Sequence, residues 1–404
     1  MSARLFGALS ALALPCALSA QHPVIQGILA EVRIDSMMRW VSELSGELPV
    51  TIGGTEHTIL SRHKNNPGNG LAQAWLEQKL AQLGYSPATE AFSATGRNIL
   101  AAKPGGGSTE AAVVICAHYD GMPGGAASAP AADDDGSGVA AVLEAARVLR
   151  DIDFVHPLVF ALWDEEEQGL VGSTYHAGAM AANDALIHAV VNMDAIAWDG
   201  NGDGKARVHT RPIANSLAIA DTVMACNQQY GLGIDLILTN PGATYSDHAS
   251  FWNEGYGAVL VIEEFNNDGN PYYHTPNDRV AHFDAPYYEK LAKLSIASVA
   301  ALAIPVAEGM GASERGLAAA LLEVIPNPAR DDAWLRLTQP AAAPGRITLH
   351  DALGRELAEI AHGALPDRHS GWRLPLAGLQ AGGYVVRATV EGLPPAALHL
   401  IVLP

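Results

Sequence analysis

Three apolar runs in the chain end in side chains able to hold a metal or move a proton. AVVICAH closes on His118-Tyr119-Asp120, PLVFALW on Asp164-Glu165-Glu166-Glu167, and AVVNMD on Asp194. Taken singly, a carboxylate at such a place is equally well explained as a helix cap or turn former. A fourth segment, Asp133-Asp134-Asp135-Gly136-Ser137-Gly138, opens a helical pattern. One carboxylate suits a helix N-terminus, but three in a row repel one another unless a cation sits among them. A fifth segment, Tyr272-Tyr273-His274-Thr275-Pro276-Asn277-Asp278, adds a second histidine. Two histidines and three carboxylates exceed what one catalytic zinc takes from a protein, and they suit two zincs if one carboxylate is shared.

Such groups need a scaffold that gathers strand ends. From residue 24 to 306 short β-branched runs alternate with Ala-rich helical patterns, the latter over 71–83, 139–149, 214–230 and 286–303. This predicts an α/β fold: a doubly wound, mainly parallel sheet with helices on both faces. Ligands bind such sheets in the crevice beyond the carboxyl ends of the strands, where His118, the Glu run and Asp194 fall. Beyond the Gly-rich stretch near 309–316 the helical period vanishes. The runs WLRL, RITLHD, WRLPLAG, GGYVVRATV and ALHLIVL, separated by turn residues, predict a small β-sandwich. The expected division is 1–20, an export signal; 21–308, the α/β domain; 309–319, a linker; and 320–404, the sandwich.

Of the 404 residues 49% are hydrophobic, and 24 Lys and Arg against 43 Asp and Glu leave a net charge of −19. That balance speaks against nucleic acid as a partner, because phosphate contacts need clustered basic residues. The first twenty residues carry one arginine, an apolar run and small residues at Ser19 and Ala20, the layout of a cleaved secretory signal. No later stretch reads as an integral membrane span. Cys116 and Cys226 lie in a strand-like and a helix-like run and read as buried free thiols. Asp199-Gly200-Asn201-Gly202-Asp203-Gly204 has the D-x-N-x-D-G spacing of a calcium loop, so Asp199, Asn201 and Asp203 are candidate Ca²⁺ ligands. Thr210 stands where an EF-hand has its bidentate Glu, and a Gly-rich hairpin turn explains the run equally.

HYD, ADDDGSG, EEQGLVGS, NMD, SDHASFW and YHTPND follow in the order and approximate spacing of metallopeptidase family twenty-eight, which residues 35–305 resemble. The resemblance implies a zinc peptidase catalytic domain of the bacterial leucyl aminopeptidase type, with two Zn²⁺ per chain. It makes His118 and Asp194 ligands of one zinc, Glu167 and His274 of the other, and Asp134 the bridge. It makes Asp120 the residue that orients His118, Glu166 the general base acting on a metal-activated bridging water, and Asp134-Asp135 a cis peptide. Asp134, Glu167, Asp194 and a hydroxide would cancel the charge of two Zn²⁺, so the cluster could be buried without large cost. A tyrosine hydroxyl for the developing oxyanion would come from Tyr273, with Tyr245 the competitor, while Asp247 and His248 would support the site without ligating.

The implied substrates are peptides with a free N-terminus. Other readings on the same fold are a carboxypeptidase or dipeptidase, for which Arg279 is the nearby cation, a glutaminyl cyclase, and a non-catalytic binding module. Residues 320–404 resemble the type IX secretion sorting domain through Pro326-Asn327-Pro328-Ala329, Asp351-Ala352-Leu353-Gly354-Arg355 and Leu379-Gln380-Ala381-Gly382-Gly383-Tyr384. That resemblance implies the type IX export machinery as a partner and a secreted or cell-surface enzyme reached through the periplasm. A fibronectin-like accessory domain is the alternative.

Overall fold

The computed structural model describes residues 21–306, except 108, 126 and 127, and most of the strands between 322 and 402. The export signal at 1–20, the linker at 309–319, and Pro326 to Pro328, Ala352 to Arg355, Gln380 and Ala381 lie outside the described residues. The chain begins with helices α1 (Pro23–Ala30) and α2 (Ile34–Leu44), the hairpin β1 (Val50–Ile52) and β2 (Thr55–His57), and α3 (Pro67–Gln82). Helix α3 starts a turn before the predicted 71–83. Asn66 caps it by accepting the Gly68 N–H at 2.9 Å, and Pro67, whose missing N–H costs nothing at a first helical position, follows.

Then come β3 (Ala88–Ala91), β4 (Arg97–Lys103), β5 (Ala112–His118), α4 (Gly138–Leu149), β6 (Leu158–Trp163), α5 (Val171–Ala182), β7 (Ile187–Met193) and β8 (Lys205–His209). They are followed by α6 (Ser216–Gln229), β9 (Asp235–Thr239), α7 (His248–Asn253), β10 (Ala258–Glu263), α8 (Phe265–Asp268) and α9 (Ala285–Ala303). The eight strands β3 to β10 form one sheet in the order β3-β4-β6-β5-β7-β10-β8-β9. The expected mainly parallel sheet is a mixed one. Its centre, β6-β5-β7-β10, is parallel, while β3 to β4, β4 to β6 and β10 to β8 pair antiparallel.

Only the central strands are buried on both faces, which is why they read as unbroken apolar runs. On β5, Val113, Ile115 and Ala117 join the core under α2, α4, α6 and α9. Val114 and Cys116 point to the other face, against Trp163 and the α5 and α7 residues Ala177, Phe251 and Trp252. Period-two alternation thus gives β5 two cores, the doubly wound arrangement. Cys116 and Cys226 are buried and unpaired. No helix of the described residues is long and apolar enough to cross a membrane.

The C-terminal strands are β11 (Leu322–Ile325), β12 (Trp334–Leu337), β13 (Pro344–Asp351), β14 (Glu356–Ala364), β15 (Gly371–Arg373), β16 (Gly382–Val390) and β17 (Ala396–Val402). They form a three-stranded sheet, β11-β12-β15, and a four-stranded one, β14-β13-β16-β17. Val324 and Leu335 of the first share one buried cluster with Ile347, Leu349, Val386 and Leu400 of the second, separate from the clusters of the large sheet.

Candidate metal centre

Parallel pairing with His118 opposite Trp163 and Cys116 opposite Asn192 brings the carboxyl ends of β5, β6 and β7 to one edge. His118, the run from Asp164 to Glu167, and Asp194 are delivered there together. The turn from Ala132 to Ser137 reaches the same edge, and each of its three aspartates has a different task. Asp135 accepts the N–H groups of His118 (3.2 Å), Ala195 (3.2 Å) and Gly138 (2.9 Å), capping α4 and tying it to two strand ends. Asp133 accepts from Ala197 N and Asn270 Nδ2, both at 3.0 Å. Only Asp134 is left to face the imidazoles. Donors thus occupy Asp133 and Asp135, and burial holds both carboxyls above the usual carboxylate range, so the need for a cation narrows to Asp134.

The two oxygens of Asp134 address different histidines: Oδ1 is 3.1 Å from His118 Nε2 and Oδ2 is 3.0 Å from His274 Nε2. Asp194 Oδ1 is 3.7 Å from His118 Nε2, and Glu167 Oε2 is 2.9 Å from His274 Nε2. One donor group is thus His118, Asp134 and Asp194, the other Asp134, Glu167 and His274. Asp135 also lies within ligand range of His118 and Asp194, but its oxygens are already engaged by three N–H groups, so Asp134 is the better donor. Glu166 Oε2 is 3.9 Å from His118 Nε2 and belongs to neither group. Asp120 Oδ1 is 3.3 Å from His118 Nδ1, and its carboxylate accepts the N–H groups of Glu166 (3.0 Å) and Glu167 (3.2 Å).

The donor set fits a pair of cations. Asp134 Oδ2, Glu167 Oε1 and His274 Nε2 are buried and have no hydrogen-bond partner. Oδ2 and Nε2 lie 3.0 Å apart. Nitrogen and carboxylate donors in this arrangement are what zinc takes. Charge tells the same story. Burial opposes a proton on His118, yet Glu166, Asp120, Asp134 and Asp194 push its pKa well up. His274 is pushed up to about 10, burial being outweighed by Asp134 and Glu167. Glu167 rises to about 7, through burial first and the charge of Asp134 second.

The backbone around the site is held in unusual conformations. Ala131, Glu165, Leu170, Ala195 and His274 all have positive φ without being glycine. Such residues cost free energy and persist where surrounding structure over-determines them, most often at functional sites. The Asp134-Asp135 peptide is cis, as the resemblance implies.

Asp247 and His248 are fully buried. His248 Nε2 donates to the Ala243 carbonyl at 2.9 Å, and neither residue joins a donor group. Tyr273 stacks on His274 with ring centroids 3.8 Å apart, while the Tyr245 hydroxyl is 3.5 Å from His209 Nε2. In the 199–204 loop, Asp199 accepts from Asp203 N and Gly204 N, and Asp203 takes the Lys205 N–H and ammonium. Those oxygens, with Asn201 Oδ1 on the Asp203 N–H, close a hydrogen-bonded turn. Two supporting residues escaped the sequence reading. Asp278 accepts the N–H groups of Asp133 and Asp134, and Asn270 holds the Asp133 side chain. Asp278 was visible at the end of YHTPND, but no spacing rule assigns it a task; Asn270 carries no local signal.

A cleft of about 730 Å³ opens on the site. It is lined by the carboxylates of Asp134, Glu166, Glu167 and Asp194 and by the apolar or aromatic Leu170, Tyr245, Ile262, Phe265 and Tyr273, with Gly169, Thr244 and Asn266 completing it. No Lys or Arg is among these residues.

Fold and site together define an α/β protein with candidate metal ligands gathered at the carboxyl edge of its sheet. The pattern of peptidase family M28 matches residues 98–299, half of the chain, and the protein belongs to that family. It is 25% identical over 273 residues to aminopeptidase YwaD of Bacillus subtilis (strain 168), covering 64% of this chain and 58% of the relative. It is 30% identical over 168 residues to a probable leucine aminopeptidase of Arthroderma benhamiae, covering 40% and 45%. The chain thus spans about half the length of these curated relatives. The LapA aminopeptidase of Legionella pneumophila has the same fold, with a TM-score of 0.61 at 23% identity over 72% of this chain and 78% of that one.

Proposed function

We propose that the protein is an exported dizinc aminopeptidase that removes N-terminal residues from peptides. The observation that carries this is the position of Asp134, one oxygen toward His118 and the other toward His274. His118, Asp134 and Asp194 would hold one zinc, and Asp134, Glu167 and His274 the other. Bound there, zinc supplies Lewis acidity toward a peptide carbonyl and acidifies water. Glu166, in neither donor group, takes a proton from the attacking water and returns it to the departing amine. Asp120, with Oδ1 3.3 Å from Nδ1 of His118, holds that side of the ring by charge so that Nε2 faces the centre. The Tyr273 hydroxyl serves the developing oxyanion. Its pKa is raised beyond the usual tyrosine range by burial and then by Asp134, Asp194, Glu167 and Glu166, so it remains a donor.

With Asp134, Glu167 and Asp194 neutralised by the metals, Glu166 and a lining without Lys or Arg to receive a carboxylate favour a substrate end that is cationic, an α-amine. Arg279, the candidate for a carboxypeptidase, is directed at Ser128 Oγ, 3.4 Å away, and is not part of that lining. The layout of residues 1–20 and the motifs of 320–404 support export through the type IX machinery to the surface or the medium. Metal analysis combined with hydrolysis of unblocked and N-acetylated peptides tests the activity. Two zincs and cleavage of the unblocked peptide alone are expected; full activity after exhaustive chelation ends the reading. Truncation after Ala312 tests the export half, and normal export of the shortened chain would overturn it.

A further inference from the structure

Arg62 is 0% exposed and belongs to neither donor group. Four of its five N–H groups donate to backbone carbonyls: Nε to Tyr119 (2.6 Å), Nη1 to Leu44 (3.1 Å) and Pro130 (2.7 Å), and Nη2 to Ala131 (2.7 Å). Tyr119 follows His118 directly. Pro130 and Ala131 lead into the turn that carries Asp134, and Ala131 has φ +47°. Among the described residues no carboxylate forms a salt bridge with this guanidinium. Burial disfavours its charge, and Asp278, Asp120, Asp135 and Asp134 offset that only from a distance. A buried cation on carbonyl oxygens is costly to the fold. What it supplies is direction: a rigid planar fork addresses several carbonyls at fixed angles, which an ammonium on a flexible stem cannot do.

We infer that Arg62 is a positioning residue of the metal centre, whose guanidinium sets the separation between the backbone bearing His118 and the backbone bearing Asp134. The inference rests on the dizinc reading. The space around the fork is tight: a Cβ at Gly136 would lie 3.6 Å from Nη2 and 3.0 Å from the Ala131 carbonyl. The opposite donor group is set by other contacts, Asp120 holding the Glu167 N–H and Asp278 holding the Asp134 N–H. Loss of the fork therefore loosens the pairing of His118 with Asp134; the shared Asp134 passes part of that to both groups, and the group that needs both residues, that of His118 and Asp194, suffers most.

The test compares full-length wild type with Arg62→Lys, and with Arg62→Ala in the presence and absence of tens of millimolar guanidinium. Zinc binding is followed by competition with a chelator, cobalt substitution by its visible absorption, and folding by thermal melting. In Arg62→Lys the first zinc equivalent should bind nearly as in wild type and the second at least tenfold more weakly. The cobalt spectrum of the second equivalent should change, and kcat should fall about a hundredfold with KM within a factor of two or three. Guanidinium, but not ammonium, should restore the second equivalent to Arg62→Ala. A folded variant that binds both zincs with wild-type affinity overturns the inference. So does failure of both variants to fold even with zinc and guanidinium, which would make Arg62 a residue of the fold alone. Wild type that binds two zincs but cleaves no unblocked peptide would end the aminopeptidase reading and leave the role of Arg62 standing. Wild type without a second zinc would end both.

Discussion

His118 and Asp120, two residues apart at the end of β5, face each other with Oδ1 3.3 Å from Nδ1, and the same carboxylate accepts the N–H groups of Glu166 and Glu167. One side chain therefore lies against an imidazole and fixes the backbone of the glutamate run opposite it. Asp120→Asn keeps the shape but replaces an acceptor oxygen with a donor amide, so one of these contacts must fail. Zinc affinity or turnover should fall about 10- to 100-fold, read by chelator competition and by kcat. Unchanged values for both would show that Asp120 orients nothing.

Glu166 and Glu167 are adjacent yet should separate cleanly. Glu166→Gln should keep both metals and lose about 10²- to 10⁴-fold in kcat, the range of a general base. Glu167→Gln should lose metal at the His274 group, because an amide oxygen is a weaker donor than a carboxylate. Exchanged phenotypes would place the base at the other glutamate.

Gly172, in the first turn of α5, has no room for a side chain. A Cβ there would lie 2.3 Å from Asn98 Oδ1 and 2.4 Å from the Asp164 carbonyl. Ala in place of Gly usually strengthens a helix by roughly 1 kcal/mol. Here the overlap with backbone reverses the sign, and Gly172→Ala should destabilise by about 1–3 kcal/mol. Urea unfolding measures this, and a more stable variant would contradict the packing.

Acid should weaken the fold away from the metal centre. The His188 imidazole, stacked on His156 with centroids 4.1 Å apart, is pulled down to about 4 by burial and then by the neighbouring imidazole. A histidine whose pKa is lower folded than unfolded resists protonation in the fold. Its contribution is therefore full above about pH 6.5 and is lost as the pH falls toward 4. His188→Phe keeps a stacked ring and removes the titration. The variant's melting temperature should decline less steeply than wild type between pH 6.5 and 4; parallel curves would refute the assignment.

Much of the centre was legible in the chain because its chemistry is local. Apolar runs buried on both faces announce the central strands, and the residues that end them, His118, Glu166, Glu167 and Asp194, fall where a parallel sheet opens. The YHTPND segment offers His274 just before a helix. Edge strands were harder: β3, β4, β8 and β9 are short or half-exposed, so their orientation depends on pairing and not on pattern, and the sheet proved mixed. The motif resemblance singled out Asp134 among the three aspartates, but the reason lies in the tertiary structure, where N–H donors from the end of β5 and the loop after β7 occupy Asp133 and Asp135. Tertiary structure also decided that Asp199 and Asp203 close a turn on their own backbone. The task of Arg62 was invisible for the same reason: its partners at Leu44, Tyr119, Pro130 and Ala131 are carbonyls, which every residue possesses and no side-chain pattern reveals.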